Sequence, residues 1–133
     1  MRRQKYSSNS KWEDIVGYSR AIRIGNIIEL SGTVAVDDAN KLVGDGNVYE
    51  QTKFIISKII QYIEKAGGKK EDIVRTRLFV TDITKWEEIG RAHGEYFKDI
   101  KPVTTMVEVK SLISKEYLVE IEATAIVTEI QLH

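Results

Sequence analysis

With 133 residues, 20 basic and 20 acidic side chains and no cysteine, the chain lies outside several classes of protein. Its zero net charge gives no long-range attraction to nucleic acid or to an anionic membrane. The missing cysteine excludes disulfides and thiolate metal sites. Only His93 and His133 could supply imidazole, so no metal site is expected. The length predicts a single domain over residues 1–133.

The first 14 residues are polar and basic and contain no apolar segment. They predict a loose N-terminal segment and do not resemble a secretory signal. No apolar run elsewhere in the chain approaches the length that a membrane span needs. We therefore expect a cytoplasmic protein that does not bind membranes.

A hairpin and a capped helix are predicted in the first half of the chain. Two short apolar runs, at residues 20–24 and 27–31, flank Gly25-Asn26, a pair that favours a tight turn. Residues 33–36 continue as a short strand or bend, and residues 37–46 predict a loop. Asn47 has the position of a helix N-cap, with Glu50 as the reciprocal partner of a capping box.

The first helix is predicted to end at Ala66-Gly67-Gly68, followed by a strand over residues 73–81 and a turn over residues 82–85. A second helix follows and ends before Pro102. The residues predicted for its inner stripe are Trp86, Ile89, His93, Tyr96, Phe97 and Ile100.

Two further strands are predicted in the last third of the chain, at residues 101–109 and 119–127, because both stretches alternate with a period of two. Glu120 and Glu122 fall on one side of the second strand. The apolar residues on its other side are Val119, Ile121, Ala123 and Ala125. The two carboxylates fit either a solvated face or a functional site.

This order of elements predicts an α+β fold. Two strand–helix–strand crossovers that share a sheet place both helices on one face. The other face keeps apolar positions that no helix covers. We therefore expect a homo-oligomer with its sheets inward and its helices outward.

A series of short landmarks over residues 15–128 resembles a known family. The landmarks are Val16-Gly17-Tyr18, Gly25-Asn26, Ser31-Gly32, Ala66-Gly67, Asp72-Ile73-Val74, Phe79-Val80-Thr81-Asp82, Pro102, Val107-Glu108-Val109 and Val119-Glu120-Ile121-Glu122-Ala123. In this order and spacing they resemble the Rid/YjgF family, also called endoribonuclease L-PSP or translation inhibitor. The resemblance implies a chorismate-mutase-like protomer and a homotrimer with a cleft between each pair of subunits.

The resemblance also implies an activity. Reference members of this family hydrolyse reactive enamines and imines such as 2-aminoacrylate to a 2-oxo acid and ammonia, without a metal or an organic cofactor. At matching positions this chain has the water-side Glu120 and the pocket residue Tyr18. Thr104 stands where the family has its substrate-binding Arg, and Gly90 where it has an Asn. A charged hydrogen bond to a carboxylate is worth about 1.5–3 kcal/mol, so we expect weak activity on simple 2-imino acids.

Each candidate site residue also has a structural interpretation. Glu120 orients water, or it is a structural carboxylate bonded to backbone or to an Arg. Arg75 and Arg77 flank Thr76 and are predicted to share a strand face with Ile73 and Phe79. One of the two arginines could supply the missing cation or form an ion pair with Glu120 or Glu122. Tyr18 contacts a ligand or simply packs.

For His93 and Glu122 the structural interpretation is the favoured one. His93 lies on an apolar helix stripe, where a lone histidine usually packs and only sometimes acts as an acid or base. For Glu122 we favour a structural role.

Three functions remain open from the sequence. The first is a hydrolytic deaminase with a small-molecule substrate, in which Glu120 orients water and Tyr18, Thr104, Arg77, His93 and Gly90 line the cleft. The second is a non-catalytic binding or regulatory protein, which the absence of the arginine favours. The third is a ribonuclease or translation inhibitor, against which the zero net charge and the absence of a second catalytic His argue.

Overall fold

The computed structural model of the protein describes residues 2–128, so His133 lies outside the described residues. The strands are β1 (Arg3–Tyr6), β2 (Ala21–Ile24), β3 (Ile27–Thr33), β4 (Ile73–Val80), β5 (Val103–Glu108) and β6 (Val119–Ile126), and the main helices are α1 (Val48–Lys65) and α2 (Trp86–Phe97). The six strands form one sheet in the order β1-β2-β3-β6-β4-β5. Strands β4 and β5 pair in parallel and the other neighbours antiparallel. This mixed sheet confirms the predicted α+β class.

The helices cover one face of the sheet. Helix α1 contacts β3 and β6, and α2 packs against α1. On β6 the alternating residues from Val119 to Ala125 are buried, while Glu120 and Glu122 face the other side, as the sequence predicted. That open face exposes a group of apolar side chains, namely Ile24, Ile27, Val103, Val107 and Ile126. These side chains support the expectation of a partner, which stays a prediction.

The predicted hairpin is present between β2 and β3. Ile24 pairs with Ile27 across a two-residue connection. Gly25 has φ +60°, the sign that the first central position of a type II′ turn requires. The glycine therefore fixes the register of the two strands.

Helix α1 begins and ends where the sequence predicted. Asn47 Oδ1 accepts the N–H of Glu50 at 3.0 Å, but the reciprocal half of the capping box is not formed, because the N–H of Asn47 donates to Gly44 O at 3.0 Å. At the other end Gly67 has φ +90°, and the N–H of Gly68 returns to Ile63 O at 2.9 Å. This is the geometry of a glycine C-cap.

The N-terminal residues differ from the loose segment that was predicted. Strand β1 pairs with β2, and Tyr6 packs against the core. The buried carboxylate of Glu13 accepts the hydroxyl of Ser7 at 2.8 Å and the N–H of Ser8 at 3.1 Å. The order comes from the free edge of β2 and from this one carboxylate, and neither is visible in the composition of residues 1–14.

Helix α2 confirms part of the predicted stripe. Ile89 and Phe97 are buried, but Trp86 at the first helical position is 56% exposed, so the buried stripe begins one turn later. Ile100 lies beyond the helix and packs against the core from there. Within residues 2–128, no helix has the length and apolar character needed to cross a membrane.

Strand β4 contains a bulge that the sequence did not show. The pairing with β6 shifts register between Ile73 and Arg75. As a result Ile73 is buried among the core residues. The prediction that it shares a face with Arg75, Arg77 and Phe79 is therefore wrong. One extra residue in a strand reverses the faces on either side of it.

Candidate functional site

Glu120 and Thr104 point to opposite faces of the sheet. Strand β4 pairs with both neighbours, placing Phe79 beside Glu120 and Thr76 beside Thr104. Thr76 and Phe79 are three residues apart on one strand, so their side chains lie on opposite faces and about 10 Å apart along it. Within one chain, therefore, the predicted site residues form two separate groups. We call them the Glu120 half-site (Tyr18, Arg20, Gly32, Glu120) and the Thr104 half-site (Thr76, Gly90, His93, Thr104).

In the Glu120 half-site, the carboxylate lies over the backbone of Gly32. A Cβ built at position 32 would overlap Glu120 Oε2. The space exists because β3 shifts its register against β6 between Leu30 and Thr33, and such a bulge bends the strand away from its neighbour. Gly32 is thus required for the observed position of the carboxylate.

Arg20 is a member of this half-site that the sequence analysis missed. Its Nη2 donates to Gly32 O at 2.7 Å, and its guanidinium lies 5.6 Å from the ring centroid of Tyr18. Its Nε is buried and is the one such side-chain atom without a hydrogen-bond partner in the described part of the chain. In the sequence, residue 20 looks like an ordinary strand end. Only the pairing of β2 with the bulged β3 shows that Arg20 belongs to the half-site.

The Glu120 carboxyl is more basic than an ordinary glutamate. Burial raises its pKa, the charge of Glu122 adds to this rise, and the positive charge of Arg20 opposes it. Among residues 2–128 the carboxylate neither accepts a hydrogen bond from another side chain or backbone N–H nor forms an ion pair. A half-buried carboxylate with free acceptor positions can take a proton from a water molecule.

Tyr18 follows a single π-helical turn, Glu13–Gly17. Its N–H donates to Glu13 O at 3.0 Å and closes that turn. Tyr18 is 38% exposed and, with Glu13 and Ser31, lines an open depression of about 720 Å³. Isolated π-helical turns occur often at functional sites.

Arg77 forms an ion pair with Glu122, which is one of the two pairings that the sequence left open. Its Nη1 lies 3.4 Å from Glu122 Oε1, and the two side chains are 42% and 37% exposed. An ion pair this exposed contributes little to stability. It leaves Glu120 without a cationic partner from β4.

The Thr104 half-site contains a chain of three hydrogen-bonding groups. Thr76 Oγ1 lies 2.8 Å from His93 Nε2 and 2.7 Å from Thr104 Oγ1. Thr76 is buried, whereas Thr104 is exposed on the edge strand β5. Burial lowers the pKa of His93, and its ring lies 4.7 Å from that of Phe97. His93 thus lies on the inner side of α2 as predicted, but it also bonds to a buried strand hydroxyl.

Gly90 lies one turn before His93 on the same side of α2. A Cβ built at Gly90 meets no atom within 4 Å. The position is therefore open space that a larger side chain could fill.

A second depression, of about 560 Å³, lies where α1 and α2 begin. Its lining includes Asn47, Asp82, Lys85 and Arg91. None of the predicted site residues borders it.

The comparisons with known proteins agree on one family. The family model described as Endoribonuclease L-PSP matches residues 9–127. An uncharacterized protein of Streptomyces coelicolor is 34% identical over 122 residues, which are 92% of this chain and 90% of that protein. A RutC family protein of Pyrococcus abyssi is 34% identical over 108 residues, 81% of this chain and 84% of that protein.

Solved structures resemble the chain over nearly its whole length. A member of the YjgF/YER057c/UK114 family from Mycobacterium tuberculosis has a TM-score of 0.86 and 43% identity, covering 95% of this chain and 100% of that one. A Rid family protein of Yersinia pestis has a TM-score of 0.83 and 30% identity, with coverage of 95% and 100%.

Proposed function

Because the chain belongs to the Rid/YjgF family, described as Endoribonuclease L-PSP, we propose that it is a hydrolytic deaminase for a reactive imine or enamine. In the reaction, water adds to the C=N carbon, the C–N bond then breaks, and ammonia and a carbonyl compound leave. Glu120 is the observation that supports this most, as a half-buried carboxylate of raised pKa with free acceptor positions. It would accept a proton from the attacking water and return it to the departing nitrogen.

The proposed catalytic unit includes two chains. Since the two half-sites face opposite sides of one sheet, they can only meet if Thr104 on the edge strand of one subunit approaches Glu120 of the next. The exposed apolar side chains of the open face also favour association. We propose the homotrimer that the family resemblance implies, with sheets inward and three equivalent clefts.

Within such a cleft each residue has a distinct task. Glu120 orients water, and the charge of Arg20 favours its ionised form. Tyr18 and Thr104 line the pocket. Arg77 could hold an anionic group of the substrate if it released Glu122. The chemistry requires no metal and no cofactor, and we propose that it takes place in the cytoplasm.

The test is a panel of imines generated in the assay by an amino-acid oxidase. The protein should accelerate ammonia release from at least one of them, and Glu120→Gln should abolish the acceleration. Wild-type protein that binds small ligands but accelerates none of the reactions would contradict the proposal.

That contrary result would support the alternative, a non-catalytic small-molecule-binding or regulatory protein. Thr104 and Gly90 favour this alternative, because both stand where the family has functional side chains. Ribonuclease activity is the third candidate, and the zero net charge argues against it.

A further inference from the structure

The buried hydroxyl of Thr76 connects a histidine inside the protein with a hydroxyl on its surface. Its Oγ1 is within hydrogen-bond distance of both His93 Nε2 and Thr104 Oγ1. Thr76 is 1% exposed, so water does not reach its hydroxyl. The position of the Thr104 hydroxyl is therefore determined from within the protein.

The two hydrogen bonds that connect His93, Thr76 and Thr104 can be donated in either direction. If His93 Nε2 carries the proton, it donates to Thr76, Thr76 donates to Thr104, and Thr104 is free to donate outward. If Nε2 is unprotonated, each donation reverses, and the Thr104 oxygen is free to accept from outside. No carboxylate or cation pairs with any of the three residues within residues 2–128.

We propose that the Thr104 half-site recognises an uncharged hydrogen-bonding group of the substrate, such as a primary carboxamide, and that His93 positions Thr104 through Thr76. This rests on the proposed function only in placing Thr104 in the ligand cleft. A carboxamide has both an N–H donor and a C=O acceptor, so it can bond to Thr104 in either direction of hydrogen-bond donation. A carboxylate can only accept, and at the Thr104 half-site it would lose its hydration without meeting a cation.

Two stable analogues of the carbonyl product distinguish these groups: 2-oxopropanamide and 2-oxopropanoate, which differ only in the carboxamide and carboxylate. Isothermal titration calorimetry on the wild-type protein should give a Kd for the amide at least tenfold lower than for the acid. Thr104→Val should raise the Kd for the amide about three- to tenfold, the range of one neutral hydrogen bond. Thr105→Val is the matched control, because Thr105 lies on the other face of β5 beside Arg77, and it should change neither Kd.

Variants of His93 separate positioning from packing. His93→Phe keeps an aromatic ring beside Phe97 but removes the bond to Thr76, and it should weaken amide binding. His93→Gln keeps a side-chain hydrogen-bonding group, and it should restore much of the preference. Unchanged amide binding in His93→Phe, with a loss only in His93→Gln, would assign His93 to packing alone.

Three results would overturn the inference: tighter or equal binding of the acid, unchanged amide binding in Thr104→Val, or no binding of either analogue. Failure of the proposed function is a different result. A preference for the amide without any Glu120-dependent ammonia release would reject the deaminase and keep the recognition. Glu120-dependent turnover with a preference for the acid would do the reverse.

Discussion

The carboxylate of Glu120 occupies the space above Gly32 that a methyl group at position 32 would fill. The atom in conflict is the far end of a flexible side chain, so a larger residue at position 32 would displace the carboxylate without disturbing the backbone. A substitution at position 32 can therefore move the Glu120 carboxylate without changing the stability of the fold.

Gly32→Ala is therefore expected to lower turnover nearly as far as Glu120→Gln, while the free energy of unfolding changes by less than about 1 kcal/mol. Steady-state ammonia release and urea denaturation measure the two effects. The control is Gly94→Ala in α2, where a Cβ meets no atom within 4 Å. It should keep full turnover and stabilise the protein by up to about 1 kcal/mol through helix propensity. Full turnover in Gly32→Ala would show that the carboxylate position is unimportant.

Glu120→Gln should be more stable than the wild type at pH 7. Burial raises the pKa of Glu120 above its ordinary value of 4.5. For an acid whose pKa is raised by folding, the stabilising contribution is fully present below the unfolded pKa and is lost as the pH rises through the folded pKa. The difference between variant and wild type should accordingly shrink towards pH 4.

Chemical denaturation at pH 4 and pH 7 measures this effect. A variant less stable than the wild type at pH 7 would mean that Glu120 is half of a stabilising ion pair in the assembled protein. In that case its role would be structural.

Arg20→Gln should move the acidic limb of the pH–rate profile to higher pH. The positive charge of Arg20 lowers the pKa of Glu120, so its removal leaves burial and Glu122 to raise that pKa further. Arg20→Lys keeps the charge and should shift the limb less. If the acidic limb lies at the same pH in Arg20→Gln and in the wild type, Arg20 does not influence the ionisation that controls turnover.

Activity on 2-aminoacrylate should be weak in the wild type and higher in Thr104→Arg. The substitution restores a guanidinium that can bind the substrate carboxylate through two hydrogen bonds. Gly90→Asn can be added, because position 90 is open. Coupled ammonia release from the enzymatically generated imine is the measurement. Wild-type turnover equal to that of a relative with the arginine would show that another residue binds the carboxylate.

Features of the fold that depend on neighbouring residues in sequence were predictable. Gly25 specifies the hairpin and Asn47 the start of α1, since each acts through a local backbone requirement. The alternation around Glu120 gave the faces of β6 correctly. Such patterns report local geometry directly.

What could not be predicted depends on contacts between distant segments. The bulges before Arg75 and around Gly32 arise from pairing with β6, and β1 exists because β2 presents a free edge. For the same reason the sequence missed Arg20 and Thr76. Both look like ordinary strand residues until folding brings Arg20 beside Gly32 on the neighbouring strand and Thr76 beside His93 on α2.

The central claim, that Glu120 of one chain and Thr104 of another form one catalytic cleft, is tested most directly by mixing subunits. Glu120→Gln removes one half-site, and Thr104→Trp blocks the other at an exposed position of β5. Each variant alone should be trimeric by sedimentation equilibrium and inactive. After the two are unfolded and refolded together in equal amounts, about a quarter of the clefts should have both intact halves. Recovery of about a quarter of wild-type ammonia release is the predicted result, and no recovery in mixed trimers would contradict the shared cleft.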